Sequence, residues 1–284
     1  MAKSSWCGRS SFYRITGLPE DYKAKPPSFR LSNVFDYGHS VHSKYQRWLF
    51  EMGVLWGKWR CVNCGDSWVG GTPSNMEWCV HCELNTVVYA EVPLEHPELM
   101  ISGHCDGIVR DGDTYRMIEI KTVGIPTLRF ENFKLFERYQ SEQLTPDELW
   151  FNINRPFSTH IRQGQLYLHI AKTAFPYLEI DEIVFIYEWK ATQEVKEFVV
   201  RYNQDFIAGV LRDASSVVGS VGTGVAPDRP SWAAVGSKTC GSCEYRKTCW
   251  GGGSLRGAGE KGDTNESRIM VRRSSRKPPV RRRA

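Results

Sequence analysis

Apolar positions along the chain fall into blocks of two periods, one near two residues and one near 3.6. The stretch Met100 to Val123, MISGHCDGIVRDGDTYRMIEIKTV, predicts two short strands and a tight polar turn. Ile101 to Val109 forms the first strand, Arg110 to Asp113 the turn and Tyr115 to Val123 the second, because Asp-Gly between apolar runs signals a hairpin. Upstream, Asn33 to Trp56 has helical spacing, with Val41, Tyr45, Trp48 and Met52 at i, i+4, i+7 and i+11 predicting one apolar face. Downstream, Thr145-Pro-Asp-Glu148 is a helix start, and His160 to Ala171 reads as a helix with Gln163 and Tyr167 on a shared face. Two alternating runs, Glu182 to Lys190 and Glu197 to Tyr202, predict strands. A helix from Asn203 to about Val218 is expected to run into a Gly/Ser linker, Gly219 to Gly224.

Three polar residues interrupt the apolar hairpin: Asp106 on its first strand, Glu119 and Lys121 on its second. Two positions apart on a strand, Glu119 and Lys121 point to the same face. Carboxylates on adjacent strands can hold a hard divalent cation, and a neighbouring lysine can steady a nucleophilic water or an anionic transition state. A surface hairpin with an exposed Glu-Lys pair is the commoner meaning of such a pattern taken alone.

Nine cysteines are many for a protein expected to be cytosolic, and seven of them fall into close spacings that favour metal over disulfides in a reducing compartment. Cys61-x-x-Cys64 and Cys79-x-x-Cys82 have the spacing of a four-thiolate zinc ribbon, closed and structural rather than catalytic. His81, inside the second pair, is a spare donor. Cys240, Cys243 and Cys249 form a three-cysteine set that lacks a fourth ligand, and either Cys7 or Cys105 could supply it.

Charge adds one further feature. The net charge is +5, yet the segment from Arg268 onward holds seven Arg, one Lys and no acid, so the remainder is slightly acidic. A basic arm on such a body suits either contact with phosphate backbones or a disordered solubilising tail. No apolar run reaches the roughly 18 residues that a membrane-spanning helix needs. The first residues lack a signal-peptide core, so a cytoplasmic protein without membrane partners is expected.

Taken in order, Cys7, Gly38-x-x-x-His42, Asp106, Glu119-x-Lys121, Gln163-x-x-x-Tyr167 and Cys240-x-x-Cys243-x5-Cys249 resemble the iron–sulfur branch of the RecB-like PD-(D/E)XK nucleases. That branch includes CRISPR-associated Cas-four-type exonucleases, their phage relatives and the AddB nuclease domain. The resemblance covers roughly residues 5 to 250, and Cys7-Gly8-Arg9 departs from the family's usual Cys-Pro-Arg.

The resemblance implies an α/β fold with a central mixed sheet flanked by helices and an inserted zinc ribbon. The corresponding segments are 1–58 and 91–250 for the nuclease domain, 59–90 for the ribbon and 251–284 for a disordered basic tail. It implies a 4Fe-4S cluster on Cys7, Cys240, Cys243 and Cys249, with a second zinc in the same four cysteines as the rival. It also implies Mg²⁺ or Mn²⁺ held by His42, Asp106, Glu119 and the carbonyl of Ile120, with His39 the weaker histidine. Lys121 would act on the water or the transition state, and Gln163 and Tyr167 would position the strand.

The implied activity is that of a single-strand DNA exonuclease in recombination, repair or phage DNA processing, in the host cytoplasm if phage-encoded. Its substrate would be single-stranded DNA or duplex ends, and a recombinase, helicase or CRISPR integration proteins its companions. The alternative is a zinc-ribbon nucleic-acid-binding or CRISPR-adaptation accessory subunit with little nuclease activity.

Overall fold

The computed structural model describes residues 6–22, 26–73 and 78–251. The basic arm expected after Gly251 lies outside them, as do residues 1–5. Two helices open the chain, α1 (Gly8–Ile15) and α2 (Phe29–Glu51). Seven strands follow: β1 (Leu55–Cys61), β2 (Ser67–Gly71), β3 (Val87–Tyr89), β4 (Val92–His96), β5 (Ile101–Cys105), β6 (Gly107–Asp111) and β7 (Thr114–Val123). Next come α3 (Ile125–Glu131), α4 (Phe133–Gln140), α5 (Pro146–Phe151) and α6 (Ser158–Ala174). The strands β8 (Glu182–Trp189) and β9 (Val195–Arg201) and the helices α7 (Gln204–Thr223), α8 (Lys238–Gly241) and α9 (Arg246–Trp250) complete the order.

The fold is mixed α/β. A seven-stranded sheet runs β2-β1-β6-β7-β8-β9, with β3 also paired to β1. Only β7 and β8 are parallel among these pairings, so the α3–α6 segment forms the crossover between them. Helices lie on both faces. Alternation along β7 and β8 explains how one sheet serves two layers. Ile118, Ile120 and Ile186 pack under Val41 and Tyr45 of α2. Met117, Val123, Ile183, Phe185, Tyr187 and Trp189 face the larger core with Leu166 and Ile170 of α6 and Ile207 of α7. Gly164 allows α6 to sit close, because a Cβ there would come within 2.7 Å of the Phe185 ring.

Several elements depart from the pattern-based expectation. The strand expected over Ile101 to Val109 is two strands, broken at Asp106: β5 pairs with β4 in a separate two-stranded sheet, and β6 pairs with β7. The break satisfies its own backbone, since the Asp106 carbonyl accepts from Gln46 at 3.0 Å and from the Tyr89 hydroxyl at 3.2 Å. The α2 helix starts at Phe29, capped by Ser28, and stops at Glu51 before Gly53 turns with φ +74°. Of its expected apolar face, Val41 and Tyr45 are buried, whereas Trp48 and Met52 are exposed, because near its end the helix turns Leu49 and Phe50 toward Leu55 and Trp59 of β1 instead.

The Gly/Ser linker expected after Val218 is instead helical to Thr223 and ends at Gly224, φ +71°. There Val217 and Val221 pack against Phe12 and Tyr13 of α1, and tertiary burial overrides the low propensity of glycine. The capping box at Thr145 and Glu148 forms as its sequence predicts. No helix among the described residues is long and apolar enough to cross a membrane.

Candidate metal centres and cleft

The break at Asp106 places its carboxylate between α2 and β7. One oxygen lies 2.9 Å from His42 Nδ1. The other accepts the buried backbone N–H of Ile120 at 2.6 Å. His42 reaches the site because its neighbours on α2, Val41 and Tyr45, anchor the helix to Ile118 and Ile120. Burial alone would lower the His42 pKa, but the Asp106 carboxylate outweighs it and the net shift is upward. His39, a turn earlier, is exposed and not part of this group.

Glu119 is 3% exposed. Its Oε1 accepts from Lys121 Nζ at 2.6 Å, while its Oε2 is buried and has no partner. Burial raises its pKa to about 7; Lys121 opposes that shift and Asp106 adds to it. Gln163 donates to the Tyr167 hydroxyl at 2.9 Å, so this pair on α6 forms one unit. A Cβ on Gly103 would come within 3.0 Å of the Tyr167 ring, which places α6 directly over β5. Burial pushes the Tyr167 hydroxyl up to about 12, so it stays protonated at neutral pH.

One residue of this centre was not found by pattern. Glu91, His42 and Asp106 bring ligand atoms within 4.8 Å of one another. Glu91 sits between β3 and β4 with φ +58°, and its carbonyl accepts from Lys58 at 2.7 Å. Val92 is the register partner of Cys105, so Glu91 is the next residue opposite Asp106. The pairing of Val-Pro-Leu-Glu-His with Ile-Ser-Gly-His-Cys was the signal, and it is a long-range one.

The ribbon cysteines also converge. Cys61, Cys64, Cys79 and Cys82 lie mutually within 4.8 Å, with Cys61–Cys82 and Cys64–Cys79 sulfurs 3.6 Å apart. Tetrahedral zinc with arms of about 2.3 Å requires sulfur separations of ~3.8 Å, so this set can bind such an ion. The N–H of Cys64 and the hydroxyl of Thr86 draw the Cys61 thiol down to about 6. His81 pairs with Asp66 at 3.2 Å.

Cys7, Cys240, Cys243 and Cys249 line one small cavity of about 40 Å³ at the meeting of α1, α8 and α9. No three of them share the 4.8 Å grouping that the ribbon cysteines satisfy. Of the two possible companions for the C-terminal three, Cys7 is therefore the one beside them. Cys105 is fully buried in β5, and burial raises its thiol well above the ordinary value.

No family model matches the chain, and no curated protein matches it in sequence. Comparison with solved structures gives partial likenesses. An alkaline exonuclease, LHK-Exo, from Laribacter hongkongensis is 16% identical over 48% of this chain and 58% of its own, with a TM-score of 0.29. SSO0001 is 16% identical over 53% of this chain and 51% of its own, with a TM-score of 0.27. LHK-Exo in complex with dAMP is 12% identical over 76% and 87%, with a TM-score of 0.37. The chain thus spans little more than half the length of the first two. At these scores the likeness carries no argument about chemistry.

Proposed function

We propose that the chain is a metal-dependent nuclease acting on DNA, and more finely a single-strand exonuclease of the iron–sulfur RecB-like kind. One observation carries the reading. Glu119 Oε2 is buried without a partner beside Asp106, His42 and Lys121. An orphaned buried carboxylate oxygen is costly unless a cation completes it. His42, Asp106, Glu119 and the Ile120 carbonyl would hold Mg²⁺ or Mn²⁺, with Glu91 as a further carboxylate. Bound there, the metal would supply Lewis acidity to a phosphodiester oxygen and a water of lowered pKa.

The remaining groups act on the substrate. Lys121, tethered by Glu119, carries the positive charge that a phosphate gathering negative charge requires. Gln163 and Tyr167 are neutral, mutually bonded, and suited to fixing the strand across the cleft. Cys7, Cys240, Cys243 and Cys249 line one cavity, which suits a shared thiolate-bound group, and the iron–sulfur cluster is proposed there on the family resemblance of the cysteine pattern. A structural zinc in the ribbon and a role in recombination, repair or phage DNA processing complete the proposal.

Calorimetry and metal analysis test it together. The wild-type protein should bind Mn²⁺, and Asp106→Asn should weaken that binding at least about tenfold. Anaerobic preparations should hold about four irons and one zinc per chain. Mn²⁺ binding that is unchanged in Asp106→Asn would contradict the active-site assignment, and two zincs without iron would remove the cluster.

A further inference from the structure

The crossover segment between β7 and β8 encloses a groove outside the metal centres. The end of α3, the end of α5 and the start of α6 surround a cavity of about 290 Å³. Its lining is more polar than apolar and includes Asn154, Arg155 and Ser158. Asn154 and Arg155 are exposed, and among the described residues neither side chain has a hydrogen-bond or ion-pair partner. The one acid in the lining, Glu131, accepts from the Thr159 hydroxyl at 2.6 Å.

Three phenylalanines stand on the rim. Phe130 and Phe133 bracket Glu131 and Asn132 of the lining, and Phe151 precedes Asn152. Their exposures are 69, 58 and 81%, and exposed rings grouped around a polar groove mark an interaction site. Cations accompany two of them: Lys238 Nζ lies 5.2 Å from the Phe130 centroid and Lys196 Nζ 6.0 Å from that of Phe151.

The groove adjoins the cleft. On α6, His160 lies between the lining residues Ser158 and Ile161, and its ring packs on Tyr187 with centroids 5.4 Å apart. Tyr187 is the register partner of Lys121, so their side chains leave the parallel pair side by side.

We propose that this groove receives one unpaired base of the strand held at Lys121. The occupant's identity rests on the nuclease reading. Rings, amide and cation match three parts of a nucleotide. The face of the base stacks on phenylalanine, its edge takes the hydrogen bonds of Asn154, and the phosphate meets Arg155. A base inside a duplex has both faces covered, so only a single strand or a frayed end fills the site. The volume is near the lower limit of ligand pockets, roughly 300 Å³, which suits one base rather than a longer ligand.

Binding of single-stranded DNA oligonucleotides to the full-length protein, with Ca²⁺ in place of Mn²⁺, tests the site. Phe133→Leu/Phe151→Leu keeps apolar bulk on an exposed rim and removes the stacking faces. Affinity for an intact oligonucleotide should fall about tenfold at an unchanged melting temperature. A second series of oligonucleotides carries one abasic position, moved along the strand. At one position the wild type should lose about tenfold while the double variant loses nothing further, because both changes remove the same contact. Losses that multiply at every position, or a double variant that binds like the wild type, overturn the site and leave the nuclease reading standing. A wild-type protein that binds neither Mn²⁺ nor the intact oligonucleotide removes that reading and the site with it.

Discussion

A carboxylate that serves two neighbours is hard to replace without separating its roles. Asp106 accepts the Ile120 N–H through one oxygen and faces His42 through the other. Asp106→Ala would orphan a buried N–H, at a cost of about 1–3 kcal/mol, and so confuse folding with chemistry. Asp106→Asn retains an acceptor and removes the charge. It should keep the fold and lower DNA cleavage at least about a hundredfold. Lys121→Met should do the same through loss of its charge, and a cleavage rate equal to that of wild type in either variant would exclude these residues from the chemistry. Asp106 and His42, which the sequence offered on a hairpin strand and a periodic helix, do come together, whereas Glu119 pairs with Lys121 and stands outside the 4.8 Å grouping of His42, Glu91 and Asp106. Glu91 was not legible, because only strand pairing brings it there.

At the scale of elements, α2 and α6 hold the cleft from opposite faces of the sheet. On the α2 side, the Glu188 carboxylate is 1% exposed and accepts from Lys44, Tyr45 and Tyr37. Burial alone would raise its pKa, but the Lys44 ammonium and the tyrosine hydroxyls prevail and the net shift is downward. A depressed carboxylate contributes stability that is present above its unfolded pKa and lost as pH falls through the folded one. Glu188→Gln should therefore lower unfolding free energy by about 3 kcal/mol near neutral pH, with the gap to wild type shrinking below about pH 4.5. Urea titrations across pH check both, and a gap that does not change with pH would contradict the ion pair.

On the α6 side, Gly164→Ala would force its Cβ to 2.7 Å from Phe185, costing about 1–3 kcal/mol and displacing Gln163 and Tyr167. Chemical denaturation and the Michaelis constant for DNA would report it; neither changing would mean that α6 adjusts freely. The periodicities of β7, β8 and α6 revealed these layers. The split of the first hairpin strand escaped, since its cause is side chains of α2 and β3 reaching one carbonyl.

At the scale of the whole molecule, the described chain brings its first and last helices together. Phe12 and Tyr13 of α1 pack with Val217 of α7 and Tyr245 near the C-terminal cysteines, so Cys7 faces Cys240, Cys243 and Cys249 across one cavity. A cluster there would close a loop through nearly the entire described chain, and loop-closure entropy gives such a link a large effect on stability. Cys243→Ser should lose iron, keep zinc and cost roughly 2–5 kcal/mol of stability. Equal stability with full iron content would show that Cys243 is no ligand. The spacing of the last three cysteines was plain in the sequence, where spacing left Cys7 and Cys105 both open and only the family resemblance named Cys7; the packing of α1 on α7 brings Cys7 beside them.

The most direct test of the whole account is cleavage of end-labelled single-stranded DNA by anaerobically purified protein. With Mn²⁺, progressive shortening to small products is expected, with none in EDTA and none by Asp106→Asn. Intact DNA in the presence of Mn²⁺, or equal cleavage by Asp106→Asn, would contradict it.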